Sequence, residues 1–335
     1  MAVPITKAMI VARNDIVRKM KNGEYRTTEN PCICGKINGI ILAENDRYDI
    51  PIKTVLCESC GLVRSDPYYD ENTLGQFYSK EYRPLYTGTD KATSEFFMSQ
   101  KTFGRIIKNL LSEKIFNGKL TGKRIFEIGC GAGGILEAFK ENGNEVFGCD
   151  YGRSYIEFGN TRNLNLVEGS AETLKQFGTA DIVILNHTLE HMLKPQEELE
   201  RIKTLLSPNG VLYIALPGIY SIHDTYRGDL MGYLQNAHVW YFTLKTLNSL
   251  LAKSGFELIY GNEIITAIYK SKSGTNSTET ENSKKILDYL KKTKRLRWYY
   301  ALKKFSFRHV AFETFRLTGP LYRVTRGIYR KLKQK

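Results

Sequence analysis

The stretch Arg124-Ile125-Phe126-Glu127-Ile128-Gly129-Cys130-Gly131-Ala132-Gly133-Gly134-Ile135-Leu136 constrains the chain more than any other. An apolar-rich run reaches Ile128, four glycines follow closely, and a helical pattern begins near Gly134. That order reads as strand, tight turn, helix. Glycine admits positive φ and lets a ligand press against bare backbone. The helix behind it presents N–H groups at the positive end of its dipole. Gly129, Gly131 and Gly134 fit the dinucleotide fingerprint G-x-G-x-x-G. Glu127, two residues before the first glycine, sets a carboxylate where a ligand ammonium would be received, which favours an amino-acid-bearing nucleoside instead. The next apolar run, Glu145 to Asp150, ends in an acid about 20 residues after the loop, the place of a ribose-binding carboxylate.

Glu127, Gly129, Gly131 and Gly133 spell Glu-x-Gly-x-Gly-x-Gly. Over residues 120–272 the chain thereby resembles the class I S-adenosylmethionine-dependent methyltransferases. The resemblance implies S-adenosylmethionine as cofactor. It also puts the turn after the strand Leu164 to Glu168 at the adenine edge, with the Ala171 N–H as a partner and Ser170 where the family usually has an acid. Ala180 to Asn186 reads as a buried parallel strand, ending in polar residues where open α/β sheets hold ligands. Asn186 and His187 are therefore counted with the cofactor site. Helices expected over 92–116, 154–159, 196–206 and 244–253 alternate with strands that finish at Ala215, Tyr260 and Tyr269. The pattern predicts an α/β fold with a doubly wound, Rossmann-like parallel sheet. On the helix over 92–116, Phe96, Phe103, Ile106, Ile107, Leu110 and Leu111 are expected to share one side.

Ahead of this domain stand two cysteine pairs, Cys32-Ile33-Cys34-Gly35 and Cys57-Glu58-Ser59-Cys60-Gly61. Two close pairs, each followed by glycine, have the arrangement of zinc knuckles. Four thiolates close the coordination sphere, so a zinc there would be structural. Cys130 and Cys149 read as packing residues. An aromatic segment follows the knuckles, from Asp66-Pro67-Tyr68-Tyr69 to Tyr82-Arg83-Pro84-Leu85-Tyr86. Knuckles, then this segment, then the methyltransferase core resemble the bacterial sugar methyltransferases of surface-polysaccharide and deoxysugar pathways. In that family the aromatic segment closes over the substrate, which makes Tyr82 and Tyr86 substrate contacts, and the insert at about 219–237 carries specificity.

The formal charge of +14 is concentrated at one end. From Lys284 onward seventeen Lys and Arg stand against Asp288 and Glu313, a net +15 that leaves the rest of the chain at −1. A nucleic-acid groove over the catalytic region would need basic residues lining it, so nucleic acid is disfavoured. Residues 273–283, rich in Ser, Thr, Asn and Glu, read as a linker. Within residues 284–335, Trp298, Leu302, Phe305 and Phe312 form an apolar face beside basic residues, the pattern of a helix on an anionic membrane surface. The expected organisation is 1–90 zinc-binding and aromatic cap, 91–272 methyltransferase domain, 273–283 linker and 284–335 tail. The N-terminus mixes charge with apolar residues and does not read as a signal peptide. A cytoplasmic protein is expected, with the tail offering peripheral contact with the inner face of the membrane.

A sugar hydroxyl is a poor nucleophile until a base takes its proton. His191, His238 and Glu190 are the catalytic candidates, and His187 and His223 fall in segments expected around the same cleft. The expected function is methyl transfer to a sugar, through a hydroxyl, of a nucleotide-linked or lipid-linked bacterial surface glycan. The alternatives are a nucleic-acid or other small-molecule methyltransferase and a non-catalytic scaffold that keeps the cofactor fold.

Overall fold

A computed structural model describes residues 6–272 and 280–295. Seven strands form the central sheet: β1 (Arg124–Ile128), β2 (Glu145–Asp150), β3 (Asn165–Glu168), β4 (Ala180–Asn186), β5 (Leu206–Ala215), β6 (Phe256–Gly261) and β7 (Thr266–Ser271). Their order across the sheet is 3-2-1-4-5-7-6. The first five run parallel, while β7 is antiparallel to both β5 and β6. This corrects the all-parallel expectation. The four residues between β6 and β7 are too few for a crossover helix, so the pair must be a hairpin, and it inserts with β7 against β5. The order reverses between β1 and β4, which opens a crevice at their carboxyl ends.

Alternation along each strand splits the core into two layers. Phe126, Ile128, Val183, Leu185, Leu212 and Ile214 pack on one face of the sheet. Ile125, Ile182, Ile184, Val211 and Tyr213 pack on the other. The helix Ser94–Lys114 covers the second face, burying Phe97, Gly104, Ile107 and Leu111. Phe103 and Ile106, expected inside, are more than half exposed. The reason is Gly104: a Cβ there would lie 2.6 Å from the Ile135 carbonyl oxygen, so the helix approaches the helix Gly134–Lys140 along its glycine side.

The N-terminal region forms a small antiparallel sheet of Ile40–Ala43, Thr54–Leu56 and Val63–Ser65, extended by Trp240–Tyr241 from far along the chain. Thr27–Thr28 pairs with Tyr68–Tyr69, and the helices Glu71–Lys80 and Tyr82–Thr87 follow. The helix over 283–295 packs back on this region through Ile286, and the Glu281 N–H before it donates to the Cys60 carbonyl oxygen. The tail stripe from Trp298 to Phe312 lies outside the described residues. Among the described residues no helix is long and apolar enough to cross a membrane.

Candidate active site

The glycine loop at the end of β1 is bent as the sequence demands. Gly129, Gly131 and Gly133 have φ of 73°, 56° and 76°, a region that costs side-chain-bearing residues strain. A Cβ on Gly129 would meet the Thr188 hydroxyl at 2.6 Å. Asp150, at the tip of β2, holds the loop from the side. Its Oδ2 accepts from the Gly131 N–H at 2.8 Å and its Oδ1 from the Gly152 N–H at 2.7 Å. Gln100, reaching in from the helix Ser94–Lys114, donates to the Cys130 carbonyl at 3.0 Å and accepts from the Gly134 N–H at 3.3 Å. The helix N-terminus behind the loop is therefore partly capped. Ser170 caps the next turn by accepting from the Glu172 N–H, and Ala171 is buried beside it.

Glu127 is 1% exposed, and its Oε2 has no hydrogen-bond partner. Burial first, then the charge of Asp150, lifts its carboxyl well above the usual range. A buried carboxylate without a partner is costly, and a cation placed beside it relieves that cost. The orphaned oxygen and the bare glycine cradle fit the ammonium and the nucleoside of S-adenosylmethionine.

Asn186 ends β4, and His187 leaves it with φ 55° while donating its N–H to the Ala215 carbonyl. One short turn later comes Glu190, 1% exposed, with both carboxylate oxygens lacking a hydrogen-bond partner. Three imidazoles surround its Oε1: His187 Nδ1 at 3.5 Å, His191 Nε2 at 4.0 Å and His238 Nε2 at 4.0 Å. Burial would raise the Glu190 carboxyl, but the pull of these imidazoles outweighs it and holds the group below its usual range. His187 is 57% exposed. Its pKa is raised by the charge of the Glu190 carboxylate beside it. His191 and His238 are lowered, mainly by burial.

His191 Nδ1 lies 2.9 Å from the Ala237 carbonyl oxygen and 2.9 Å from the Tyr78 hydroxyl. A carbonyl only accepts, so Nδ1 carries the proton and Nε2 keeps its lone pair. That is the form a general base requires.

The aromatic segment lies over this cluster. The Tyr82 ring contacts those of Tyr78, Tyr86 and His191 at centroid distances of 4.9, 5.1 and 6.0 Å. The Tyr86 hydroxyl donates to Asn236 Oδ1 at 2.6 Å and accepts from the Ala237 N–H at 3.2 Å. Next to Tyr82, Arg83 stacks on Tyr155 at 4.0 Å and reaches Asp150 Oδ1 at 3.5 Å. His187, His191 and His238 gather at Glu190, whereas His223 sits apart on the helix Ile222–Thr225, its N–H bonded to the Tyr289 hydroxyl.

Gln100 escaped the sequence reading, while Tyr78 and Arg83 lay within its aromatic segment without an assigned role. Tyr78 alone had a signal, since Tyr78, Tyr82 and Tyr86 recur at four-residue steps, one face of a helix.

The cysteine pairs meet at the edge of the small sheet. Cys32 Sγ lies 3.4 Å from Cys60 Sγ, Cys34 Sγ lies 3.6 Å from Cys57 Sγ, and all four sulfurs fall within 4.8 Å of one another. A tetrahedral zinc with bonds of about 2.3 Å spaces its sulfurs by about 3.8 Å, so the cluster could hold that ion. The turns behind it are fixed by Gly35 N–H to the Cys32 carbonyl and Gly61 N–H to the Cys57 carbonyl.

Residues 99–260 match a family described as a methyltransferase domain. A C-methyltransferase of Streptomyces niveus, NovU, is 23% identical over 215 residues, 62% of this chain and 47% of that protein. A ubiquinone biosynthesis O-methyltransferase of Acinetobacter baumannii is 28% identical over 107 residues, 29% of this chain and 45% of that protein. The chain thus spans about half the length of the curated relatives it matches. The solved magnesium protoporphyrin IX methyltransferase of Synechocystis PCC 6803 is 14% identical with a TM-score of 0.42, covering 61% of this chain and 100% of that one.

Proposed function

We propose, from the match of residues 99–260 to a methyltransferase domain, that this chain uses S-adenosylmethionine to methylate a sugar of a nucleotide-linked or lipid-linked bacterial surface glycan. The observation that carries the methyl-transfer reading is a pair of buried carboxylates at the ends of neighbouring strands, Glu127 with one oxygen unbonded and Glu190 among three imidazoles. One is suited to a ligand cation, and the other organises imidazoles. When bound, S-adenosylmethionine supplies an electrophilic methyl group on a sulfonium.

The chain's own residues do the rest. Glu127 takes the ammonium, the backbone of Gly129, Gly131 and Gly133 admits the nucleoside, and Asp150 with the turn at Ser170 and Ala171 borders the ribose and adenine. Asn186 and His187 flank the cofactor on the acceptor side. His191 Nε2, with its lone pair fixed by the Ala237 carbonyl, accepts the acceptor's proton, and ionised Glu190 stabilises the imidazolium that forms. Buried His238 shapes the far wall, while Tyr82 and Tyr86 cover the sugar and exclude water. Positioning of acceptor and donor in line supplies much of the acceleration.

The sugar reading rests on the order of cysteine module, aromatic cover and core. The matched relatives include both C- and O-methyltransferases, so the accepting atom is an oxygen or a carbon, and the basic imidazole serves either. Cys32, Cys34, Cys57 and Cys60 are assigned a structural zinc.

The test is incubation with methyl-labelled S-adenosylmethionine and separate glycan, nucleotide-sugar and RNA fractions. Label is expected in one of the two sugar fractions. Label in RNA would end the glycan proposal.

A further inference from the structure

One cation near the site, Arg47, makes no ion pair among the described residues, although its charge acts on neighbouring Asp46. Arg47 lies in the loop between two strands of the small sheet, Ile40–Ala43 and Thr54–Leu56, and its backbone N–H is tied to the Leu234 carbonyl at 3.1 Å. Its guanidinium lies against two rings, 4.9 Å from the centroid of Tyr48 and 5.1 Å from that of Tyr86. One Nη donates to the Tyr48 hydroxyl at 3.2 Å, while Nε–H is buried with no partner. Among the described residues no carboxylate pairs with it. Its neighbour Asp46 spends both oxygens on backbone, accepting from the N–H groups of Tyr48, Ile50 and Asn236 at 2.9 to 3.0 Å.

A buried, unbonded guanidinium donor costs free energy unless something arrives to accept from it. Arginine's planar fork matches phosphoryl oxygens, and rings beside it keep water from competing. The position is also informative. Tyr86, which stacks on Arg47, binds Asn236 and Ala237, and the Ala237 carbonyl orients His191. The charge of Arg47 also acts on His238 and Tyr226. An anion docked at Arg47 is therefore linked to the proposed base through Tyr86 and the Ala237 backbone.

We propose that Arg47 is the docking point for a phosphoryl group of the acceptor, a phosphate or diphosphate ester held there while the atom to be methylated faces His191. The inference rests on the methyl-transfer reading and assigns to it the residue that holds the acceptor's phosphoryl group. The shared chemistry is the diphosphate, which a soluble nucleotide sugar and a lipid-linked sugar both carry.

The experiment is calorimetric titration of the full chain, saturated with S-adenosylhomocysteine, by inorganic pyrophosphate, UDP and farnesyl diphosphate. Wild-type protein is expected to bind pyrophosphate and at least one ester. Arg47→Gln should weaken each by about ten- to a hundredfold, the range for a hydrogen bond to a charged group, with S-adenosylhomocysteine affinity unchanged as the control for folding. Arg47→Lys keeps the charge without the fork and should recover only part of the loss. Tighter binding of UDP assigns a soluble, nucleotide-linked acceptor, and tighter binding of farnesyl diphosphate a lipid-linked one. Absence of diphosphate binding to the wild type, or equal binding to Arg47→Gln, overturns the inference while leaving methyl transfer standing. Failure of S-adenosylhomocysteine to bind the wild type overturns both.

Discussion

At the scale of single residues, the proposed roles of Glu127 in cofactor binding and His191 in chemistry can be tested apart. Glu127 is a carboxylate in a dry place whose free oxygen awaits a partner. Glu127→Gln should therefore act in two directions at once. The unliganded protein should melt no lower than wild type, because an uncompensated buried acid has been removed. S-adenosylhomocysteine should bind about ten- to a hundredfold more weakly, because a charge-assisted hydrogen bond is gone. Calorimetry and thermal melts check both halves. The pH sign follows from the raised carboxyl. Only the ionised form receives the ammonium, so affinity should fall on acidification at a pH higher than the ordinary glutamate value of about 4.3. His191 is displaced the other way, its pKa lowered chiefly by burial. A base must be neutral to work, so the acid limb of kcat/KM should lie below the free imidazole value of about 6.5. His191→Asn should cut kcat by about 10²–10⁴-fold and leave S-adenosylhomocysteine binding unchanged.

At the scale of elements, the helix Ser94–Lys114 supports the glycine loop as well as covering the sheet. Gly104 lets it come close enough for Gln100 to clamp Cys130 and Gly134. Gly104→Ala would gain helix propensity in open space, but its Cβ meets backbone and the helix must retreat. A net loss of about 1–3 kcal/mol is expected, seen as a lower Tm, together with weaker S-adenosylhomocysteine binding as Gln100 is withdrawn. Burial explains which elements could be read in advance. The helix Leu244–Lys253 was legible to its ends, because Thr243 caps it and the pattern repeats without interruption. Strands β1 and β4 announced themselves as apolar runs. The inward side of Ser94–Lys114 was legible in part: Ile107 and Leu111 are buried with Phe96 and Leu110 against them, but Phe103 and Ile106 turn outward, and the close approach at Gly104 that turns them leaves no apolar signature. The pairing of Trp240–Tyr241 with Val63–Ser65, two short segments far apart in the chain, was not legible. The same distance hid the site's supports: Tyr78 finds His191 across 113 residues, and Gln100 finds the loop across 30.

At the scale of the molecule, the basic tail and the cysteine module lend themselves to separate tests. Residues 296–335 carry eleven Lys and Arg against Glu313 alone. A chain ending after Arg295 keeps the packed helix with Ile286 and should melt as wild type, yet lose binding to phosphatidylglycerol vesicles, at about 1 kcal/mol for each basic residue near the surface. Retained binding would remove the membrane proposal. The cysteine cluster makes a stronger claim, because the small sheet it borders is extended by Trp240–Tyr241, two residues beyond His238. The Ser65 hydroxyl donates to the His238 carbonyl, and the Val239 N–H donates to that of Glu190. Strands of the module, His238 and Glu190 thus form one hydrogen-bonded assembly, whereas Glu127 and the glycine loop hang on β1 and β2. Purified protein should contain one equivalent of zinc, absent from Cys57→Ser. That variant should lose methyl transfer along with thermal stability, while S-adenosylhomocysteine, held at the far side of the crevice, still binds at low temperature. Cys57→Ser with wild-type activity would detach the cysteine cluster from the acceptor site.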